Sequence, residues 1–125
     1  DAPPVDAVGG MTLGADPIAT AVSVISALEG QPIHALLVRK ETKSHGTGQK
    51  IEGLGNVPAG SRVCVVEDTS TTGGSVLKAI RAIESAGMKV TRVITIVDRQ
   101  EGARENLAEH GYHLEALVTR GELED

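Results

Sequence analysis

A chain of 125 residues with 40% apolar and 23% charged side chains has the make-up of one soluble globular domain. Its net charge of −5 argues against nonspecific binding to nucleic acid or an anionic membrane, and one Tyr without Phe or Trp leaves almost no surface for stacking bases. The lone Cys64 excludes an intrachain disulfide and a thiolate zinc site. No apolar run approaches membrane-spanning length and no signal peptide precedes the domain, so the chain is expected in the cytoplasm.

In chain order, residues 1–4 form a loose leader and residues 5–8 a short strand that runs into a Gly-rich turn over 9–15. Asp16 is expected as the N-cap of a helix over 17–28, with Pro17 at its first position and Gly30 as its stop. Residues 33–38 read as a second strand. The stretch 39–50, RKETKSHGTGQK, is basic and has no apolar period, so it reads as a mobile loop. Residues 51–54 form a short return strand and 56–60 a turn. Val63, Cys64, Val65 and Val66 make a buried strand that stops at Glu67 and Asp68. The helix over 74–85 places Val76, Ile80 and Ile83 on one face, and Gly87 ends it. Residues 90–97 are nearly continuous in Val and Ile, as in a strand covered on both faces. A helix through Glu109, a last strand over 113–118 and an acidic tail complete the chain.

Strands alternating with helices predict an α/β fold, a doubly wound, mostly parallel sheet flanked by helices. In such sheets ligands bind beyond the carboxyl ends of the strands. The segments 9–15, 39–50, 67–75 and 98–102 all fall there.

The chemistry concentrates after the central strand. Glu67 and Asp68 can accept hydrogen bonds from a ribose diol. Thr69, Ser70, Thr71, Thr72, Gly73, Gly74 and Ser75 then offer hydroxyls and backbone N–H groups at a helix N-terminus, where the dipole favours phosphate. An acidic pair beside a phosphate nest suits a sugar phosphate better than a bare phosphate. No Walker A pattern occurs, and Gly-Thr-Gly-Gln-Lys-Ile over 46–51 lacks the last glycine of a dinucleotide fingerprint. Arg39, Lys40, Lys43 and His45 lie within seven residues, as in a lid that carries positive charge onto a departing anion. His34, His110 and His113 show no metal-ligand spacing and read as structural.

The stretch 62–78, RVCVVEDTSTTGGSVLK, closely resembles the phosphoribosyl pyrophosphate (PRPP) motif of type I phosphoribosyltransferases. The pattern R-K-x-x-K-x-H-G over 39–46 resembles the catalytic loop of the orotate phosphoribosyltransferases, and Asp98-Arg99 with the following Glu101 and Gly102 resembles those enzymes as well. The resemblance extends from Asp6 to Val118 and implies a single core domain over 1–125 with a catalytic loop over 39–53. It implies transfer of 5-phosphoribose from PRPP to N1 of orotate in pyrimidine (UMP) biosynthesis, giving orotidine 5′-monophosphate and pyrophosphate. On the same basis Arg39, Lys40 and residues 67–75 bind PRPP, with Asp68 among the catalytic residues. Lys43 and His45 act in a neighbouring subunit's site, so the protein is a homodimer. Arg99 and the Thr71 hydroxyl meet orotate, as an Arg fork suits a planar anion. Mg²⁺ is the implied cofactor, held mainly by PRPP and water near Glu67 and Asp68 rather than by a protein cage. Thr12 to Ala15 would offer donors on the pyrophosphate side, where some relatives carry a lysine that this chain lacks.

The family's N-terminal hood over the base has no counterpart here, so PRPP binding is expected to survive better than orotate recognition. A PRPP-binding core without efficient turnover and a transferase for another base are the alternatives. Arg99 discriminates the base, since a purine does not need its charge. Inert Lys43→Ala and His45→Ala variants would favour the binding module.

Overall fold

The computed structural model of the chain describes residues 4–42 and 49–124, with residues 40–42 and 49 described by their backbone only. In order, the elements are β1 (Ala7–Met11), α1 (Asp16–Leu28), β2 (His34–Thr42), β3 (Gln49–Glu52), a 3-10 turn (Leu54–Asn56), β4 (Arg62–Ser70), α2 (Gly74–Ser85), β5 (Lys89–Asp98), α3 (Ala103–Glu109), β6 (Leu114–Thr119) and α4 (Arg120–Glu124). The strands form one sheet in the order β3-β2-β1-β4-β5-β6. All neighbours are parallel except β3, which returns antiparallel to β2. The fold is the doubly wound α/β sheet that the alternation predicts.

The period of two along β4 divides the core. Val63 and Val65 point to one face, where they join Val76, Ile80 and Ile83 of α2 and Leu107 of α3. Cys64 and Val66 point to the other and pack on Ala15, Ala19, Ile18 and Val22 at the start of α1. Cys64 is buried, and burial pushes its thiol up to about 11, which makes it inert packing rather than a nucleophile. The second face is only partly covered, since Ile96 is 37% and Leu117 68% exposed. Between the two residues' strands, Arg92 holds Glu115 through two hydrogen bonds of 2.7 and 2.9 Å.

Several boundaries differ from the sequence prediction, each for a physical reason. β1 continues through Gly9 and Gly10, which the sequence places in a turn. A Cβ on Gly9 would stand 2.7 Å from the Leu36 carbonyl oxygen, and one on Gly10 2.3 Å from that of Val66. These glycines allow close approach inside a central strand. β4 does not stop at Glu67, because its ladder to β5 continues through Thr69↔Val97 and Ser70↔Asp98. The predicted loop over 39–50 is in part an antiparallel ribbon, with Leu37 opposite Glu52 and Thr42 opposite Gln49. Residues 43–48 lie outside the described residues. Asp16 does not cap α1: the N-cap is Ala15, already helical at φ −83° and ψ −18°, which leaves Asp16 inside the first turn. The acidic tail forms α4. The bounds of α2 agree with its apolar spacing. Among the described residues, no helix is long and apolar enough to cross a membrane.

Candidate active site

β1 and β4 are neighbours, yet the chain leaves β1 toward β2 and leaves β4 toward β5. Their helices therefore lie on opposite faces, and a crevice opens at the carboxyl ends of the two strands. Four segments meet there.

The first is the acidic pair. Glu67 is 5% exposed and faces α2, whereas Asp68 is exposed on the opposite side of the strand. Burial, then the hydrogen bond with Asp68, pushes the Glu67 carboxyl up to about 7, against the opposing pull of the Ser75 hydroxyl and the Asp68 N–H. Asp68 Oδ1 accepts the N–H of Thr69 at 2.7 Å. The pair thus stands ready to accept hydroxyl hydrogens, with one member close to half-protonated at neutral pH.

The second segment is the loop from β1 to α1. A Cβ on Gly14 would stand 2.5 Å from both Asp68 Oδ1 and Glu67 Oε1, so only glycine lets this loop lie against both carboxylates. The Thr12–Leu13 peptide bond is cis. Of the four donors that the sequence suggests here, Thr12 N–H already bonds Val38 O at 2.9 Å and Ala15 N–H bonds Met11 O at 3.1 Å. The N–H groups of Leu13 and Gly14 make no hydrogen bond among the described residues. An open apolar groove of about 870 Å³ runs on from this loop, lined by Leu13, Pro17, Ile18, Ile25 and Ile96, with Asp68 at its edge.

The third segment is the turn from β4 into α2. Gly73 takes the left-handed N-cap conformation at φ 90°, with no side-chain cap and no acidic residue in the first turn. The first N–H groups of α2 consequently have neither a helical acceptor nor a side chain. A phosphate can take that place. The Ser75 hydroxyl lies near enough to Glu67 to favour its charged form, and Thr69, Thr71, Thr72 and Ser75 are all exposed. Ser70 is buried, its hydroxyl without a hydrogen-bond partner.

The fourth segment, residues 98–102, is laced to the third. Arg99 N–H donates to Ser70 O at 2.9 Å, Ala103 N–H to Thr71 O at 3.1 Å, and Asn106 Nδ2 to Thr72 O at 3.0 Å. Arg99 is half exposed, with Nε 3.2 Å from Glu101 Oε2. The backbone of Arg99 thus lies beside the hydroxyl turn.

The basic lid is only partly described. Arg39 follows Val38, whose carbonyl holds Thr12, and its Nη1 lies 3.9 Å from Glu52 Oε1. Lys40 is described by its backbone in β2, and Lys43 and His45 lie outside the described residues. Sequence reasoning gave Gly14 only a backbone donor's part, not its close approach to the two carboxylates, and assigned none to Gln100. Gly14's close approach has no local signature beyond a glycine before a helix, and Gln100's left-handed φ of 60° has none at all. Among the described residues, no group of three or more His, Cys, Asp or Glu side chains could hold a metal. Two carboxylates alone suit a hard cation that brings most of its oxygen ligands with it.

A family model for the phosphoribosyl transferase domain matches residues 14–110. The chain is 53% identical over 113 residues to an orotate phosphoribosyltransferase of Nostoc sp., covering 90% of this chain and 54% of that protein. The chain therefore spans about half the length of that curated relative. A crystal structure of Mycobacterium tuberculosis orotate phosphoribosyltransferase with Fe(III) dicitrate superposes with a TM-score of 0.80 at 45% identity, over 96% of this chain and 66% of that one. The same enzyme in complex with PRPP superposes with a TM-score of 0.77 at 41% identity, over 98% of this chain and 67% of that one. The crevice, its acidic pair and its uncapped helix all lie in or beside the matched stretch, and the chain belongs to the phosphoribosyltransferase family.

Proposed function

We propose that the chain is the core of an orotate phosphoribosyltransferase, moving 5-phosphoribose from PRPP to N1 of orotate and releasing pyrophosphate. The observation that carries this reading is the junction of Glu67 and Asp68 with the uncapped start of α2. Carboxylates for a ribose diol and free N–H groups for its 5′-phosphate lie one strand end apart. The N–H groups of Gly74, Ser75 and Val76, with the hydroxyls of Thr71 and Thr72, hold the phosphate. Glu67 and Asp68 fix the ribose, and Arg39 and Lys40 contribute positive charge to PRPP binding. Arg99 exchanges its partner Glu101 for the carboxylate of orotate, supported by its place beside Thr71. The orotate relatives at 41 to 53% identity favour that base over others.

Reaction requires the C1′–O bond to pyrophosphate to loosen before N1 attacks, so charge stabilisation and positioning dominate. Lys43 and His45 supply positive charge to the leaving pyrophosphate from the neighbouring subunit of a homodimer in the cytoplasm. Glu67 and Asp68 would lie beside a Mg²⁺ that arrives with PRPP, and the ion would supply further charge neutralisation there. The 125 residues act as one domain.

Following the ultraviolet absorbance of orotate on mixing with protein, PRPP and Mg²⁺ tests the reading. Absorbance should fall only when PRPP is present. A folded protein that binds PRPP but leaves orotate unconsumed would overturn the transferase assignment in favour of a binding core. Consumption of a different base would overturn the choice of orotate.

A further inference from the structure

Eight described positions have positive φ, and seven of them are glycine; the eighth is Gln100, at φ 60°. A side chain in the left-handed region is disfavoured, and glycine would relieve it. What is retained at 100 is a side-chain amide, and its Oε1 accepts the N–H of Gly121 at 3.0 Å. The fit is close on both sides, because a Cβ on Gly121 would stand 3.1 Å from that oxygen. The backbone of Gln100 is held as well: its N–H donates at 2.9 Å to Oδ1 of Asp98, a carboxylate only 3% exposed. Asp98 is paired in register with Ser70 on β4 and Thr119 on β6. Thr119 in turn holds Glu122 through its hydroxyl at 2.9 Å, which fixes the first turn of α4.

Resting on the orotate reading above, we infer that Gln100 is a positioning residue that aims Arg99 at the base by clamping its loop to the start of α4. Arg99 then sits between an anchor on β4, through Ser70 O, and anchors on β5 and α4, through the two hydrogen bonds of Gln100. A guanidinium must be fixed in plane to meet a planar anion with two parallel hydrogen bonds. A loop hung only from β4 would let it swing.

The test is the steady-state kinetics of Gln100→Met, which keeps the length and removes the acceptor, beside Gln100→Glu, which keeps the acceptor. With Gln100→Met the orotate KM should rise about three- to tenfold, the reach of one lost hydrogen bond, while the PRPP KM and kcat stay within about twofold. Gln100→Glu should restore the orotate KM to within about twofold of the parent. Equal losses in both KM values and kcat, or an unchanged orotate KM, would overturn the inference. Amide exchange gives a second arm that needs no turnover. Gln100→Met should speed exchange at residues 99–102 and 120–123 and leave 74–78 unchanged, and unaltered exchange would overturn the clamp. If the parent protein consumes no orotate, the transferase reading fails, while exchange still decides whether the clamp exists.

Discussion

Helices α1 and α2 both begin where a strand of the central β1–β4 pair ends, but their first turns are built differently. α1 opens on Ala15, carries Asp16 in its first turn, and has Pro17, which lacks an N–H. Two of its early donors are already used, since Ala15 N–H bonds Met11 O and Asp16 N–H bonds Leu13 O, each at 3.1 Å. α2 opens on left-handed Gly73 with no acidic residue and no side-chain cap. A helix N-terminus favours one negative charge. α1 supplies its own in Asp16, and α2 leaves the place for a ligand. Under the proposed function, two turns with one strand-to-helix plan divide the work: the β4 turn takes the anion, and the β1 turn walls the carboxylates.

The glycines test that division most strongly. In Gly10→Ala the new methyl would meet backbone, the Val66 carbonyl oxygen at 2.3 Å, with Ala15 Cβ at 2.5 Å. Backbone in a central strand cannot yield, so stability should fall by about 3 kcal/mol in denaturant melts. In Gly14→Ala the methyl would meet only the ends of the Asp68 and Glu67 side chains. These can swing away, so the fold should hold while the displaced carboxylates weaken PRPP binding by about 100-fold in a calorimetric titration. If both variants lose stability alike, the β1 turn is scaffold throughout.

The acidic pair sharpens the comparison through pH. Burial raises the Glu67 carboxyl to about 7, and in the proposed PRPP complex ribose hydroxyls would donate to its ionised form. PRPP affinity should therefore rise about tenfold between roughly pH 6 and pH 8 and level off above. Glu67→Gln should flatten that rise, leaving the titration of the ligand's own phosphate. Stability without ligand has the opposite sign, because a raised carboxyl pKa means the folded state holds more protons. It should decline as pH rises from the ordinary carboxylate range through 7, and Glu67→Gln should abolish the decline. The smallest effect is expected at the other helix. Asp16→Asn removes the first-turn charge of α1 and should leave PRPP affinity within about threefold, since that helix does not hold the phosphate.

Much of this site is legible in the sequence because its signals are local. The Val63–Val66 run, two acids, a hydroxyl and glycine turn and the spacing of Val76, Ile80 and Ile83 follow one another without interruption, and the structure forms β4, the crevice and α2 from them. What the sequence hides depends on neighbours in space. Gly9 and Gly10 look like a turn but serve close packing against β2 and β4, and Glu67 to Ser70 look like a strand end but continue a ladder to β5. Asp16 resembles a cap because Asp before Pro often is one, yet Ala15 is already helical. The join of Gln100 to Gly121 spans α3 and β6, and no periodicity encodes it.

The most direct test of the central claim is PRPP binding by Asp68→Asn, measured by calorimetry with Mg²⁺ present. Asp68 is exposed, and Oδ1 accepts the Thr69 N–H at 2.7 Å, a bond that an asparagine oxygen can keep. The fold should therefore be unchanged, while loss of the charged acceptor weakens PRPP by about tenfold or more. An affinity equal to that of the parent protein would contradict the assignment of the β4–α2 turn as the PRPP cradle.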